Sequence, residues 1–387
     1  MPFNTQDDFV NALSNGRTFR FDWNKNFLPT TAAVANEWHC LARGGGNPAA
    51  DTVYNAGTNL LFQPSNFSTV GAGGIPHGPD VGSSTGTSKH LINSSAYTAA
   101  VTVAPANMLL VDIIGFYRVT SVTTITAQTL TNTLANTNVF TSDFTTDVLT
   151  HTFYGLLTGT RVQLTTSGTL PVGLSTATNY FVVRLTDTTC KLATSFANAT
   201  ASTPVTIDFT TNGTGTHNIV TVLPRYTNGA GVQAMMWNTN ATALGAATPN
   251  LSIGYTNSSQ VASRATPTTL PIGKTACPNG QILYSGTGSG KYGPAMPLQS
   301  ADSGIAEINT VTLSASYVSG EFSIALYKPL MLFPITTLGV AVEKEHVNSS
   351  PSIPRIYDGA NLHLLINSGT STPVNSSIFG HIEVGWN

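Results

Sequence analysis

The chain has 387 residues, of which 9% are charged and 41% hydrophobic, with 35 Gly, 21 Pro and a formal net charge of -2. That length allows roughly two or three domains with a sizeable core, and the charged fraction lies far below the ~25% usual in soluble proteins. Disorder is excluded because hydrophobicity is high and net charge small; coiled coils and helical solenoids are excluded because their Ala/Glu/Lys/Leu/Arg-rich composition is missing.

Thr, Ser, Asn and Gly take the place of charge. The chain carries 59 Thr, a residue that suits pleated strands and turns. The composition therefore predicts a mainly β protein with a neutral, polar surface. The 16 Lys and Arg are scattered without a cluster, so the basic field that nucleic-acid binding or a polybasic membrane site requires is missing. Cys40, Cys190 and Cys277 are far apart and form no CxxC pair. They read as small buried hydrophobes of a chain made in a reducing compartment, not as a disulfide framework or a zinc site.

In chain order, the first element is a helix. Thr5 caps it, Asp7 and Asp8 suit its positive end, Phe9 and Leu13 share a face, and Gly16 ends it. Met1–Asn15 shows neither a basic nor an apolar leader region, so no secretory signal is expected. Residues 17–23 then alternate strictly, placing Phe19, Phe21 and Trp23 on one face. That pattern predicts either a strand of the domain's own sheet or an arm that docks its aromatic side on a neighbour. Residues 41–96 are Gly-, Pro-, Asn- and Ser-rich, with Gly44-Gly45-Gly46 and Gly71–Ser88 reading as long loops. Strand character strengthens from Ala99.

The most apolar stretches, Met108–Tyr117 and Phe322–Ile335, are interrupted by Asp112 and by Lys328-Pro329. Neither provides the ~20 apolar residues of a spanning helix, so both are expected to be core strands. Between about 121 and 221 the composition shifts, and 30 of the 59 Thr fall between 121 and 220. Short strands are predicted at Arg161–Leu164, Tyr180–Leu185, Cys190–Ala193 and Val205–Phe209, a rhythm that suits a small sandwich. Further strands are expected at Asn250–Tyr255, Thr310–Tyr317, Glu321–Lys328 and His381–Trp386. The resulting division is a helix and arm over 1–30, a discontinuous main β domain over 31–120 plus 222–387, and an inserted Thr-rich module over 121–221. The expected fold is a β-sandwich or jelly-roll-like main domain with an inserted small β-sandwich and one short N-terminal helix.

No segment carries the local context of a catalytic motif. Gly82-Ser83-Ser84-Thr85-Gly86 matches a nucleophile elbow by letter, but loop flanks it on both sides where a strand and a helix are needed. Gly286–Tyr292 looks like a phosphate loop, yet Ser285 stands where the first Gly belongs and Tyr292 where the magnesium-binding hydroxyl belongs. Glu343-Lys344-Glu345-His346 on a strand turns the carboxylates one way and the imidazole the other, so a shared metal is awkward and a solvated loop or an intersubunit salt bridge fits better. His39, His151, His363 and His381 have no ligand spacing. No catalytic, metal or cofactor residues are assigned, and the chain is read as non-enzymatic.

Two groups of residues resemble a known class. Residues 150–164 (THTFYGLLTGTRVQL), Gly168–Pro171, Asn179–Val183 and Lys191–Ala193 resemble the small β module that recurs in structural proteins of tailed bacteriophages. Tyr154 stands where those modules commonly carry His. Phe21–Lys25, Pro297–Ile305, Lys328–Leu330, Pro354–Ala360 and Trp386 are similar to phage virion proteins encoded near the major capsid protein.

The resemblance implies a capsid cement or decoration protein, made in the host cytoplasm and carried in the virion. It implies a homotrimer that binds the major capsid protein, with no cofactor, no nucleic acid and no membrane. Modules of this kind project outward and touch host surfaces weakly. The helix and the Phe19, Phe21, Trp23 face are the expected contacts to a neighbour. The competing expectation is a receptor- or carbohydrate-binding component of a tail or head fibre, with Tyr and Trp as stacking faces.

Overall fold

A computed structural model describes residues 5–27, 35–50, 60–61, 74–79, 81, 88–100, 103–119, 122–130, 138–151, 156–186, 188–221, 223, 225–226, 228–238, 244–245, 247, 249–266, 270–271, 282, 294–347, 353–371, 373 and 375–387. Helix α1 spans Gln6–Ser14 and is closed by a reciprocal capping box between Thr5 and Asp8. The first strands are β1 (Thr18–Asn26), β2 (Trp38–Cys40), β3 (Lys89–Tyr97) and β4 (Ala106–Val119). Next come β5 (Asn138–Asp143), β6 (Val148–His151), β7 (Arg161–Thr166), β8 (Tyr180–Arg184), β9 (Thr189–Ala193), helix α2 (Phe196–Thr200) and β10 (His217–Thr221). The chain continues through β11 (Gln233–Trp237), β12 (Asn250–Asn257), β13 (Ile305–Leu313) and β14 (Phe322–Ile335). It ends with β15 (Val342–Glu345), β16 (Leu362–Ser368) and β17 (Ser377–Trp386). The protein is thus mainly β, of β-sandwich-like class, with a short N-terminal helix.

The main body has three antiparallel sheets. The first runs β15-β3-β17-β1 and ends on the pair Gly46–Asn47; the second runs β11-β14-β4-β16-β2; the third centres on β12-β13. The two interrupted apolar stretches are the long strands of the second sheet, paired from Phe322↔Val119 to Ile335↔Ala106. Each serves two cores along one face, and Val111, Ile113, Phe116, Ala325 and Tyr327 join a third. Met108, Leu110, Met331 and Phe333 pack with Trp23, Ile382 and Val384 of the first sheet. Tyr117, Val119, Ile324 and Leu326 pack with Ile253, Tyr255 and Ile308 of the third. Where the cores meet, Lys328 stands opposite Asp112 in the ladder, with irregular register on either side. The polar interruptions seen in the sequence are therefore a single seam between two adjacent sandwiches.

The strands of the Thr-rich segment close into a barrel, β7-β8-β9-β6-β5-β10, with β10 returning to β7. Closure joins the two edges a small sandwich would leave open, and removes unpaired backbone. Phe140, Leu149, Val162, Leu164, Val182 and Ile219 fill it. The apolar run Tyr180–Val183 is explained by burial on both faces. Tyr180 and Val182 point into the barrel, while Phe181 and Val183 lie under α2. Helix α2 is not foreseen from sequence, although Ser195 caps it by accepting from the Asn198 N–H. Val205–Phe209, expected as a strand, follows Pro204 with isolated bonds only (Val205 N–H to the Asn198 carbonyl, Ile207 N–H to that of Leu192) and leaves Val205 60% exposed.

Gln128–Thr129 pairs with β13 of the main body, and Val122 belongs to its core. The barrel strands start at Asn138, later than the composition shift at 121, because Thr suits an edge strand of the body as well as it suits the barrel. The entering strand β5 and the leaving strand β10 pair side by side, Asn138 opposite Ile219.

Candidate interaction surface

Strand β1 confirms the alternation read in residues 17–23 and reverses its use. It is no free arm: β17 pairs along its whole length and Gly46–Asn47 pairs on its other side. The face with Phe19, Phe21 and Trp23 is turned into the chain's own core. Trp23 is buried there, Phe21 packs against the same cluster, and Phe19 lies half-buried against Gly78. Trp23 sits opposite Gly380, and a Cβ at Gly380 would meet its ring. The expected contact of this face with a neighbour is corrected accordingly: an indole in water costs far more than one in its own sandwich, and the second sheet supplies the apolar layer that buries it. On α1, Phe9 and Ala12 pack against Ile92, whereas Leu13 is exposed.

What β1 leaves outside is its polar side, and neighbouring strands extend it into rows. Register aligns Glu343 of β15, Ser95 of β3, His381 of β17 and Asp22 of β1. The next row is Glu345, Asn93, Glu383 and Arg20. On the other side of the first row, Tyr97 and Phe379 stack with centroids 5.2 Å apart, beside Asn24. Four of the 18 acidic side chains of the chain lie on this face, beside Arg20, while Lys344 turns to the opposite side with its partner Ser94.

Within it, Ser95 Oγ and His381 Nδ1 are 2.7 Å apart, while His381 Nε2 is buried with no hydrogen-bond partner. Burial, then Arg20, lower the His381 pKa, against the opposing pull of Glu343, Asp22 and Glu383. The pair does not form a nucleophilic triad. The imidazole nitrogen beside the Ser lacks a carboxylate behind the ring, since Asp22 accepts instead from Arg20 at 2.9 and 3.1 Å. Glu343 accepts from Asn93 at 2.6 Å.

The other candidates are structural. His346 turns inward, as the strand reading of 343–346 requires, with Nε2 2.7 Å from Met331 Sδ and a pKa lowered by burial to about 4. Its carboxylate neighbours stay on the opposite side. Asp112, fully buried at the seam, accepts from Arg225 Nε at 2.6 Å, Tyr226 Oη at 2.8 Å and the Asn361 N–H at 2.8 Å. Asp302 accepts from Arg264, Tyr255 and Asn257. The Arg264 hydrogen bond above all holds its pKa down at about 2. Cys40 and Cys190 are buried. His39, His151 and His363 are buried. Among the described residues no group of three or more His, Cys, Asp or Glu could hold a metal. No described helix is long and apolar enough to cross a membrane. Ser84, the 286–292 loop, Tyr154 and Cys277 lie outside the described residues.

The rows of this face were readable in part. Phe379, His381 and Glu383 alternate with Ile378, Ile382 and Val384, so β17 announces a polar side; which strands stand beside it is set by long-range pairing alone.

No family model matches the sequence, and no curated protein does. Two solved structures were found. One is a mutant VP2 protein of infectious bursal disease virus in derived T=1 particles, with 10% identity, 80% of each chain covered and a TM-score of 0.12. The other is that virus's Gx strain, with 13% identity over 80% of this chain and 82% of the other and a TM-score of 0.11. Likeness at those scores carries no argument about fold or function.

Proposed function

We propose that the chain is a non-enzymatic structural protein of a tailed-bacteriophage virion. In this reading it is a cement or decoration protein, a homotrimer that binds and stabilises the shell of major capsid protein. The class rests on the sequence resemblance. The observation that carries the role is how the surface chemistry is distributed. A chain with 9% charged residues gathers four carboxylates on one sheet face, while a closed barrel hangs from the body by two adjacent strands. A flat polar face suits docking on a repeating surface, and a barrel without free edges suits outward display without edge-to-edge aggregation. The first test is copy number: quantitative mass spectrometry of purified virions should count hundreds of copies, with density on the head in a cryo-microscopy map.

A receptor- or carbohydrate-binding component of a tail or head fibre is the second reading. It is favoured by apolar side chains at the barrel surface. Phe144 is 46% and Val172 58% exposed, and both are held by the Thr210–Asn212 segment. A handful of copies located at the tail would select it and overturn the cement reading.

A further inference from the structure

The outward face of the first sheet combines three features in adjacent rows. One is the carboxylate set Asp22, Glu343, Glu345 and Glu383, partly offset by Arg20. That leaves an excess of three negative charges on this face, in a chain whose formal net charge is -2. The second is the Tyr97–Phe379 stack, with Tyr97 37% exposed. The third is His381, only 9% exposed, whose Nδ1 is occupied by Ser95 and whose Nε2, at the far edge of the ring, has no partner.

We infer that this face docks an extended basic segment of a partner protein, with lysine or arginine at alternate positions. Same-side residues of an extended chain are about 7 Å apart, the spacing of the rows along β3 and β17. One cation lies over the Tyr97–Phe379 stack, where ring faces attract it. The next meets the row of Glu343, His381 and Asp22. There Glu343 and Asp22, on either side of His381, are the acceptors for an ammonium or guanidinium donor. A third reaches Glu383 and Glu345. Arg20 already occupies one side of Asp22, so Glu343 and Glu383 carry the larger share. An acidic segment would meet like charge across the whole face.

The inference stands apart from the virion reading: a low copy number on the head would not touch it, and loss of peptide binding would not change copy number. The test uses the full-length protein and a fluorescent octapeptide of alternating Arg and Thr, with an alternating Glu-Thr octapeptide as comparison. The basic peptide should bind, more weakly as salt rises, and the acidic one should not. E343Q/E383Q should weaken binding at least tenfold with an unchanged melting temperature, since both side chains reach the surface and Gln keeps the Asn93 contact. Y97A should weaken it several-fold. D7N/D208N removes the same charge elsewhere and should leave affinity within twofold. Unchanged affinity in E343Q/E383Q, an equal loss in D7N/D208N, or no binding by the unaltered protein would each overturn the proposal.

Discussion

Trp23 shows how a single residue decides between surface and core. Its ring lies over Gly380 on the neighbouring strand and is only 3% exposed. Trp23→Ala should therefore destabilise the protein by about 3–5 kcal/mol in urea unfolding. Gly380→Ala, whose Cβ would meet the Ser95 backbone carbonyl as well as the Trp23 ring, should cost about 1–3 kcal/mol. A contact residue for a neighbour would instead leave the free chain's unfolding curve unmoved. Asp112 poses a sharper case. It is buried with Arg225, and Asp112→Ala removes the carboxylate that balances that buried guanidinium, so a loss of about 3–5 kcal/mol is expected. Replacing both by well-packed apolar residues should recover much of it, as a double-mutant cycle in urea would measure.

The buried histidines set the response to acid. Burial lowers the pKa of His77 and His346 to about 4 and that of His363 to about 3, whereas unfolded His titrates near about 6.5. Below that value the unfolded chain binds more protons than the folded one, so stability is full above pH ~6.5 and is lost as the pH falls toward the folded values. Asp302, held at about 2, adds a second loss that begins only below the unfolded carboxylate value of ~3.9. The urea midpoint should fall between pH 7 and pH 4.5, and His346→Gln should flatten that fall. A midpoint constant over this range would overturn the assignment.

At the scale of elements, period-two alternation identified β1 and apolar runs identified the long strands β4 and β14, because each buries one or both faces and its residues record that burial. Alternation shows two faces but cannot say which neighbour covers either. That is why the aromatic side of β1 looked like a docking arm. The Gly44-Gly45-Gly46 run misled for a related reason. Asn26 N–H donates to the Gly45 carbonyl, and Gly44 and Gly46 lie against Asn26 and Asn24, so these glycines permit close approach to a strand. Removing the first 30 residues would take β1 out from between its two neighbours, so that truncation reports on folding of the first sheet before it reports on assembly.

For the whole molecule, the barrel is the separable part. Its first and last strands are hydrogen-bonded neighbours, and its core, including Phe140 and Ile219, is its own. One ion pair, Arg161–Glu307 at 2.7 Å, reaches from it to β13. Replacing residues 138–221 by a short flexible linker should leave the body folded, with cooperative melting and the same acid sensitivity. Failure of that variant to fold would mean that the barrel is part of the body's core.

By itself the sequence determined the β class, the low surface charge, the two long core strands and the existence of a Thr-rich unit, because composition and short-period alternation are local records of burial. The tertiary structure alone decided that Asp112 and Lys328 meet at one seam, that the module closes into a barrel and that Trp23 faces inward. It also decided that His381 joins a carboxylate-lined face. Those facts depend on pairing between strands such as β1 and β17, hundreds of residues apart, and strand pairing over such separations leaves no mark in either segment alone.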